Sequence, residues 1–370
     1  MRLSSKAIRI GGRQIIPKRV ARRGRLVISA AAVLAALVVL SACVSSRASH
    51  LAYIAAGQNV FAYRINNRTG SSAAIIGSPF ITGASPSSVV VHPSNQFLYV
   101  ANQADNTISL FKIDSTSGAL TEVLPRTSTG ISPIAMTMDS AGSFLFVADQ
   151  VSNDISVFSI SAGGSLSLAS TASVGSNPSG LTLTSAGDFL FVPVPNFSAI
   201  YVFSVSSGSL TQVGTPFPVS GGVATLAVDP GGKFLFAPNP SVNTVSVLAI
   251  QSSGALSSTA GAFATGTAPV AATVDSTGGF LYVANFGSAN LSQFKIDSTT
   301  GALTAFTTAT VTAGTNPEFI FIDPNGKFVF VGDEGSRSIT ELSIKSDGSL
   351  TSNGNMIELG VPPRSLSVAK

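Results

Sequence analysis

The chain has 370 residues, of which 45% are hydrophobic and 10% are charged, less than half the usual charged share of about 25%. This composition excludes a disordered polyelectrolyte, a coiled coil and a nucleic-acid-binding protein that relies on basic charge. The net charge of +4 comes from residues 1–42, which hold nine basic and no acidic residues, whereas the rest of the chain has 12 basic and 17 acidic ones.

The first 42 residues have the features of an export signal. The apolar run from Leu26 to Leu40 is shorter than the ~20 residues of a membrane-spanning helix and suits the core of a signal peptide. The run is followed by Cys43, the single cysteine of the chain. Its sequence Leu-Ser-Ala-Cys resembles the lipobox of bacterial lipoproteins, whose cysteine is lipidated and becomes the new N-terminus.

We therefore predict a signal peptide over residues 1–42 and a lipidated Cys43 with its tether over residues 43–50. An ordinary signal peptide with an incidental cysteine, or an uncleaved anchor, are the alternatives. The prediction implies an exported lipoprotein, held on a membrane by the lipid on Cys43, in the periplasm or at the cell surface. The net negative charge of the remaining chain makes nucleic acid an unsuitable partner.

Beyond residue 50 one short sequence motif recurs. Six copies begin 45 to 48 residues apart, and a degraded seventh copy, LAYIAA, begins at Leu51. A period near 46 residues is typical of propeller blades or solenoid units. The six copies are FLYVAN from Phe97, FLFVAD from Phe144, FLFVPV from Phe189, FLFAPN from Phe234, FLYVAN from Phe280 and FVFVGD from Phe328.

Each unit contains four short strands separated by turns. In the unit from Pro269 the predicted strands are VAATVD, FLYVAN, LSQFKID and ALTAFTTAT, and the residues between them are rich in Gly, Asn, Asp and Ser. FLYVAN is apolar on both faces, which predicts a strand covered on both sides. We predict an all-β fold over residues 51–370: a seven-bladed β-propeller of four-stranded blades.

The chain is out of phase with these blades. The first unit lacks an innermost strand, and the C-terminal sequence from Pro363 to Ala369 aligns with the innermost strands of other units. We expect this last strand to complete the N-terminal blade and close the ring, which removes two open strand edges.

The strings FLYVANQADNTISLFKIDSTSGALT (97–121) and GGFLYVANFGSANLSQFKIDSTTGALT (278–304) resemble the seven-bladed lactonase propellers. That family includes 6-phosphogluconolactonase-type and muconate-cycloisomerase-type proteins and grades into the YVTN-repeat propellers. The resemblance implies a site on the face formed by the loops between second and third strands. It also implies histidine, glutamate and arginine there, often with a Pro-Arg-His run, where this chain has Pro363-Arg364-Ser365.

The two histidines are expected to lie on the opposite face. His92 occupies the position of the turn aspartates Asp139, Asp229 and Asp323, and His50 is expected in the corresponding turn of the first unit. The turn aspartates are predicted to accept hydrogen bonds from their own turns and not to bind a metal. No motif for a cofactor is present in the sequence, and none is predicted.

Opposite charges are concentrated in one sector of the predicted site face. The candidate ligand-binding residues are Glu318, Glu334, Arg337 and Arg364, and Glu318 and Glu334 are also the candidate catalytic bases. Two functions remain open: a non-catalytic scaffold that binds a surface protein or a small carbohydrate-like ligand, and a lactonase-type hydrolase that opens a sugar lactone. An ion pair with no ligand is the alternative for this cluster.

Overall fold

The computed structural model describes residues 49–369, which form seven antiparallel sheets arranged as the blades of a ring. The predicted seven-bladed, all-β architecture is confirmed. The helical content of these residues is one 3-10 turn, Pro195–Phe197, and none of their helices could cross a membrane.

Blade 1 contains the first strands of the described chain. They are β1 (Ser49–Ala56), β2 (Asn59–Asn66), β3 (Ser72–Ala74) and β4 (Phe80–Ile81), with β3 and β4 both paired to β2.

Blades 2 to 4 follow in chain order, each running from the central channel outwards. Blade 2 is β5 (Pro86–Val91), β6 (Phe97–Asn102), β7 (Thr107–Ile113) and β8 (Leu120–Ser128). Blade 3 is β9 (Pro133–Met138), β10 (Phe144–Asp149), β11 (Asp154–Ile160) and β12 (Leu166–Ser173). Blade 4 is β13 (Thr182–Leu183), β14 (Phe189–Val194), β15 (Ala199–Ser206) and β16 (Ser209–Gln212), with β17 (Phe217–Pro218) beside β15.

Blades 5 to 7 repeat this order. Blade 5 is β18 (Ala227–Val228), β19 (Phe234–Asn239), β20 (Thr244–Ile250) and β21 (Leu256–Ala264). Blade 6 is β22 (Pro269–Val274), β23 (Phe280–Asn285), β24 (Asn290–Ile296) and β25 (Leu303–Thr312). Blade 7 is β26 (Pro317–Ile322), β27 (Phe328–Asp333), β28 (Ser338–Ile344) and β29 (Leu350–Glu358).

The last strand, β30 (Pro363–Ala369), is the innermost strand of blade 1 and pairs antiparallel with β1. Its serines also reach blade 2, because the backbone N–H groups of Val89 and Val91 donate to the hydroxyls of Ser365 and Ser367 at 3.2 and 3.0 Å. The C-terminal strand therefore closes the ring as predicted.

The second strands form the centre of each blade. In β6 every side chain is buried, because one face packs on the preceding blade and the other on the following blade. The hydroxyl of Tyr282 in blade 6 donates to the carbonyl oxygen of Gly348 in blade 7 at 2.6 Å. Each hydrophobic cluster of the core therefore spans two adjacent blades.

The inner strands of blades 4 and 5 are shorter than the others. In both blades the neighbouring second strand has a proline, Pro193 or Pro238, where β6 has Ala101. Proline has no N–H to give to a ladder, and pairing of β13 and β18 stops at two residues each.

The two ends of the propeller differ. We call the end that carries the loops between second and third strands the cavity face; Gly57 and the segment 240–243 lie there. The end that carries the turns between first and second strands and between third and fourth strands is the turn face, with the segments 323–327 and 297–302.

Candidate functional site

A cavity of about 620 Å³ opens at the centre of the ring, a volume typical of pockets for small molecules. Residues from the inner strands of six blades, or from just before them, form its wall. Among the described residues of this wall, Glu318 and Arg364 are charged, and most of the others are serine, threonine, glycine or aliphatic residues.

Arg364 holds two carboxylates at the edge of the cavity. Its Nη1 lies 3.0 and 2.9 Å from Oε1 and Oε2 of Glu318 and 3.0 Å from Oε1 of Glu334. Arg364 is the second residue of β30, Glu318 is the second residue of β26, and Glu334 directly follows β27. Closure of the ring between blades 7 and 1 therefore brings the three side chains together.

This cluster is half-buried and carries a net charge of −1. The side chains of Arg364, Glu318 and Glu334 are 41%, 35% and 32% exposed. Burial raises the pKa of Glu318, the guanidinium of Arg364 opposes this rise, and the charge of Glu334 adds to it. Glu318 is thus a more basic carboxylate than one in water.

Arg337, which was expected in the same group, does not join it. Its side chain is exposed and forms no ion pair or hydrogen bond with residues 49–369. Its backbone is left-handed with φ of +58°, and residues at the same place in other blades, such as Asn106, Asn153 and Asn243, share this conformation. The backbone conformation of the turn therefore positions Arg337, and its guanidinium group takes no part in this.

Several polar residues near the cavity face are buried and do not reach the cavity. They end the second strands, where each bonds to hydroxyl or amide groups of its own blade; Asn102, for example, donates to the hydroxyls of Thr107 and Ser109 at 3.1 and 3.0 Å. Burial raises the pKa of both aspartates in this set to about 6. The buried set is Asn102, Asp149, Asn239, Asn285 and Asp333.

The sequence profile of the "Lactonase, 7-bladed beta-propeller" family matches residues 57–163, 135–226 and 220–312. The chain belongs to this lactonase family. None of the curated proteins matches it in sequence.

Solved structures show the same fold for this lactonase-family propeller. A Bacteroides fragilis protein provisionally assigned as a 6-phosphogluconolactonase is 21% identical, with a TM-score of 0.78 over 88% of this chain and 99% of that chain. The periplasmic gluconolactonase of Pseudomonas aeruginosa is 19% identical, with a TM-score of 0.74 over 87% of this chain and 99% of that chain. At these identities the likeness concerns the fold.

The histidines of the lactonase-family propeller lie away from the cavity. His92 is in the turn between β5 and β6, with Nε2 at 3.0 Å from the carbonyl oxygen of Gly142 and Nδ1 at 2.8 Å from the hydroxyl of Ser94. His50 lies within β1 and not in a turn, so that detail of the sequence prediction was wrong. Its Nε2 is 2.7 Å from Nδ2 of Asn325, which places it on the turn face.

Ser365 stands at the position for which the resemblance implied histidine, and its hydroxyl accepts the N–H of Val89. The side chain therefore links blades 1 and 2. Glu318 is the carboxylate of the cavity wall that could take a proton from water.

The turn aspartates have the structural role that was predicted for them. Oδ1 of Asp139, for example, accepts the backbone N–H groups of Ser143 and Phe144, both at 2.7 Å. No cluster of His, Cys, Asp and Glu with the geometry of a metal site occurs within residues 49–369.

Sequence reasoning missed the hydroxyl groups of the cavity wall. Ser87 donates to the carbonyl oxygen of Pro133 at 2.7 Å, and Thr182 donates to that of Leu226 at 2.9 Å. Each such bond joins an inner strand to the next blade and leaves the lone pairs of the hydroxyl oxygen available. A hydroxyl residue shortly after Pro or Gly at the start of an inner strand was the available signal, but Ser and Thr are also common in turns.

Proposed function

We propose that this propeller binds a small, uncharged, polyhydroxylated ligand of the carbohydrate kind in the cavity at the channel mouth. The observation that carries the proposal is the cluster of Arg364 with Glu318 and Glu334, which places one cation and two carboxylates beside a wall of hydroxyl groups. Carboxylates and hydroxyls accept or exchange hydrogen bonds with sugar hydroxyls, and the guanidinium donates to ring or carbonyl oxygens.

The charge of the cluster selects against anionic ligands. Nη1 of Arg364 is occupied by both glutamates, while Nε and Nη2 have no partner among residues 49–369. A phosphate that approached these free donors would also approach two carboxylates in a half-buried site, where charges are poorly screened. A neutral ligand meets the same donors without this repulsion.

Binding is tested with two substitutions, of which one should lower the affinity and the other should leave it unchanged. We expect Arg364→Ala to lower the affinity for a neutral sugar lactone at least about tenfold, because a charge-assisted hydrogen bond contributes roughly 1.5–3 kcal/mol. His92→Ala, on the turn face, should leave the affinity unchanged. Isothermal titration calorimetry measures both, after circular dichroism has shown that each variant is folded. Loss of binding in His92→Ala together with retention in a folded Arg364→Ala would refute the site.

A second candidate, hydrolysis of a sugar lactone, is favoured by the raised pKa of Glu318 beside a guanidinium. Glu318 would take a proton from water as the water oxygen bonds to the lactone carbonyl carbon, and Arg364 would stabilise the oxyanion. The ring C–O bond then breaks, and the alkoxide takes up the proton to give a hydroxy acid.

The substitution Glu318→Gln distinguishes a hydrolase from a protein that only binds the ligand. An enzyme should lose at least about a hundredfold in kcat, the usual contribution of a general base, while Glu358→Gln, an exposed carboxylate outside the cavity wall, should keep its rate. Release of acid from a neutral sugar lactone is followed in a pH-stat. Binding without turnover in the unsubstituted protein would leave the scaffold function as the correct one.

We further propose that the protein is an exported lipoprotein anchored through Cys43, which lies outside the described residues. The apolar run and the Leu-Ser-Ala-Cys motif support this, and the several acyl chains of a bacterial lipoprotein give stable attachment where a single chain does not. Cys43→Ser should release the protein from the membrane fraction or leave it unprocessed. A Cys43→Ser protein that fractionates and migrates like the original would contradict the anchor.

A further inference from the structure

The chain enters the propeller on the face opposite the cavity. Residue Ser49 begins β1, and the adjacent His50 contacts Asn325 in a turn of the turn face. Gly57 directly follows β1 and forms part of the cavity wall. A single strand therefore connects the point where the tether arrives with the level of the cavity.

The lengths of the tether and of this strand can be compared. Cys43 and Ser49 are six residue steps apart, at most about 21 Å in a fully extended chain. The seven residue steps from Ser49 to Ala56 along β1 rise about 23 Å. The tether is thus too short to run back along the blade and bring the cavity face to the surface on which Cys43 is held.

The positions of the lysines favour the same direction. All five lysines of residues 49–369 are exposed and lie at or next to the turns of the turn face: Lys112, Lys233, Lys295, Lys327 and Lys345.

The turn face also carries aspartates: Asp114, Asp188, Asp297 and Asp347 are exposed and Asp139 is half-buried, so the five lysines do not make this face strongly basic. Asp229, Asp275 and Asp323 on the same face are at most 8% exposed within their own turns. Lysines near an anionic bilayer are attracted to it, whereas the ion-pair cluster on the cavity face has a net charge of −1, with the exposed cation Arg337 in the following loop.

We propose that the turn face of the propeller lies against the membrane and that the cavity opens away from it, toward the solution. This inference rests on the proposed lipid anchor at Cys43. It implies that the ligand reaches the cavity from the aqueous compartment and is not a component of the bilayer that holds the protein.

The test uses the full chain with one added cysteine on either face. Ser298→Cys lies in the turn between β24 and β25 on the turn face, Ser241→Cys lies in the loop between β19 and β20 on the cavity face, and both serines are exposed. Each variant is labelled with a thiol-reactive fluorophore and reconstituted into phosphatidylethanolamine–phosphatidylglycerol vesicles whose headgroups carry a nitroxide quencher.

We expect severalfold stronger quenching of the label at residue 298 than of the label at residue 241. Equal quenching, or stronger quenching at residue 241, would overturn the orientation. The unsubstituted protein is the control, because a lipidated Cys43 has no free thiol to label. Labelling of that control, or failure to bind the vesicles, would overturn the anchor and the orientation with it, and would leave the proposed ligand site untouched.

Discussion

At the buried end of the second strand, some blades have the amide of an asparagine and others have the carboxylate of an aspartate. Asn102 accepts the hydroxyl of Thr82 and donates to that of Ser109, whereas both oxygens of Asp149 accept from Thr129 and one also accepts from Ser156. Hydroxyl groups can donate or accept, so either residue satisfies the network. The carboxylate differs in that its charge is buried, and this raises the pKa of Asp149 to about 6.

Asp149→Asn should therefore stabilise the protein at neutral pH. A carboxyl whose pKa is higher in the folded than in the unfolded chain binds its proton more tightly when folded, so the free energy of unfolding falls as the pH rises from about 4 to 6. At about 1.4 kcal/mol per pKa unit, the difference from the ordinary value of 3.8 amounts to roughly 2–3 kcal/mol.

Urea unfolding of both proteins at pH 4 and pH 7 measures this difference. We expect Asp149→Asn to gain stability over the original protein at pH 7 and to match it at pH 4, where the carboxyl is protonated in the folded state. An equal difference at both pH values would mean that shape or hydrogen bonding, and not buried charge, distinguishes the two side chains.

At the scale of the elements, the turns between third and fourth strands pack each blade against the preceding one. A glycine in the turn has positive φ and lies against the first phenylalanine of the neighbouring second strand, as Gly348 does against Phe280 and Gly164 against Phe97. A Cβ at Gly348 would overlap the ring of Phe280. The glycine that recurs before the fourth strand is therefore a packing signal as well as a turn signal.

Gly348→Ala should destabilise the protein by more than the strain of a left-handed alanine alone. Gly187, with φ of +76° against +84° at Gly348 and nothing within 4 Å of an added Cβ, is the matched control. A left-handed alanine costs about 1–2 kcal/mol at either position, and overpacking against Phe280 adds about 1–3 kcal/mol at residue 348 alone.

Chemical denaturation of both variants gives the comparison. Equal destabilisation of Gly187→Ala and Gly348→Ala would show that the phenylalanine moves aside at little cost. In the Gly348→Ala background, Phe280→Ala should cost less than it does alone, because it removes the overlap.

At the scale of the whole molecule, the ring depends on the first and the last strand of residues 49–369. The pairing of β30 with β1 covers two strand edges, and Leu366 and Ala369 are buried in it. Because the blades share their core, opening one blade exposes the faces of its neighbours as well.

Deletion of residues 365–370 should lower the free energy of unfolding by about 3–6 kcal/mol, from the apolar burial of Leu366, Val368 and Ala369. Differential scanning calorimetry compares this truncation with a chain that lacks Lys370 alone, in which β30 stays whole. A melting temperature that is the same for the two proteins would refute closure by the last strand.

The sequence by itself determined the architecture. Seven copies of an apolar strand at a nearly constant spacing, separated by turn residues, specify blades, and the phase of the copies specifies which strand closes the ring. Such local signals suffice because each blade buries the same strand in the same way. They also predicted the contact of Glu318 with Arg364, since both follow a proline at the start of inner strands of blades that closure makes neighbours.

The tertiary structure alone decided which polar side chains face the cavity. Asn102 and Asp149 are buried inside their blades, the charge of Arg337 pairs with none of the residues it was expected to join, and Glu334, which was expected nearby, contacts Arg364 directly. The turns that carry these residues have similar sequences and similar backbone conformations. What separates their side chains is packing between blades and the meeting of residues as far apart as Val89 and Ser365, which no repeat of about 46 residues encodes.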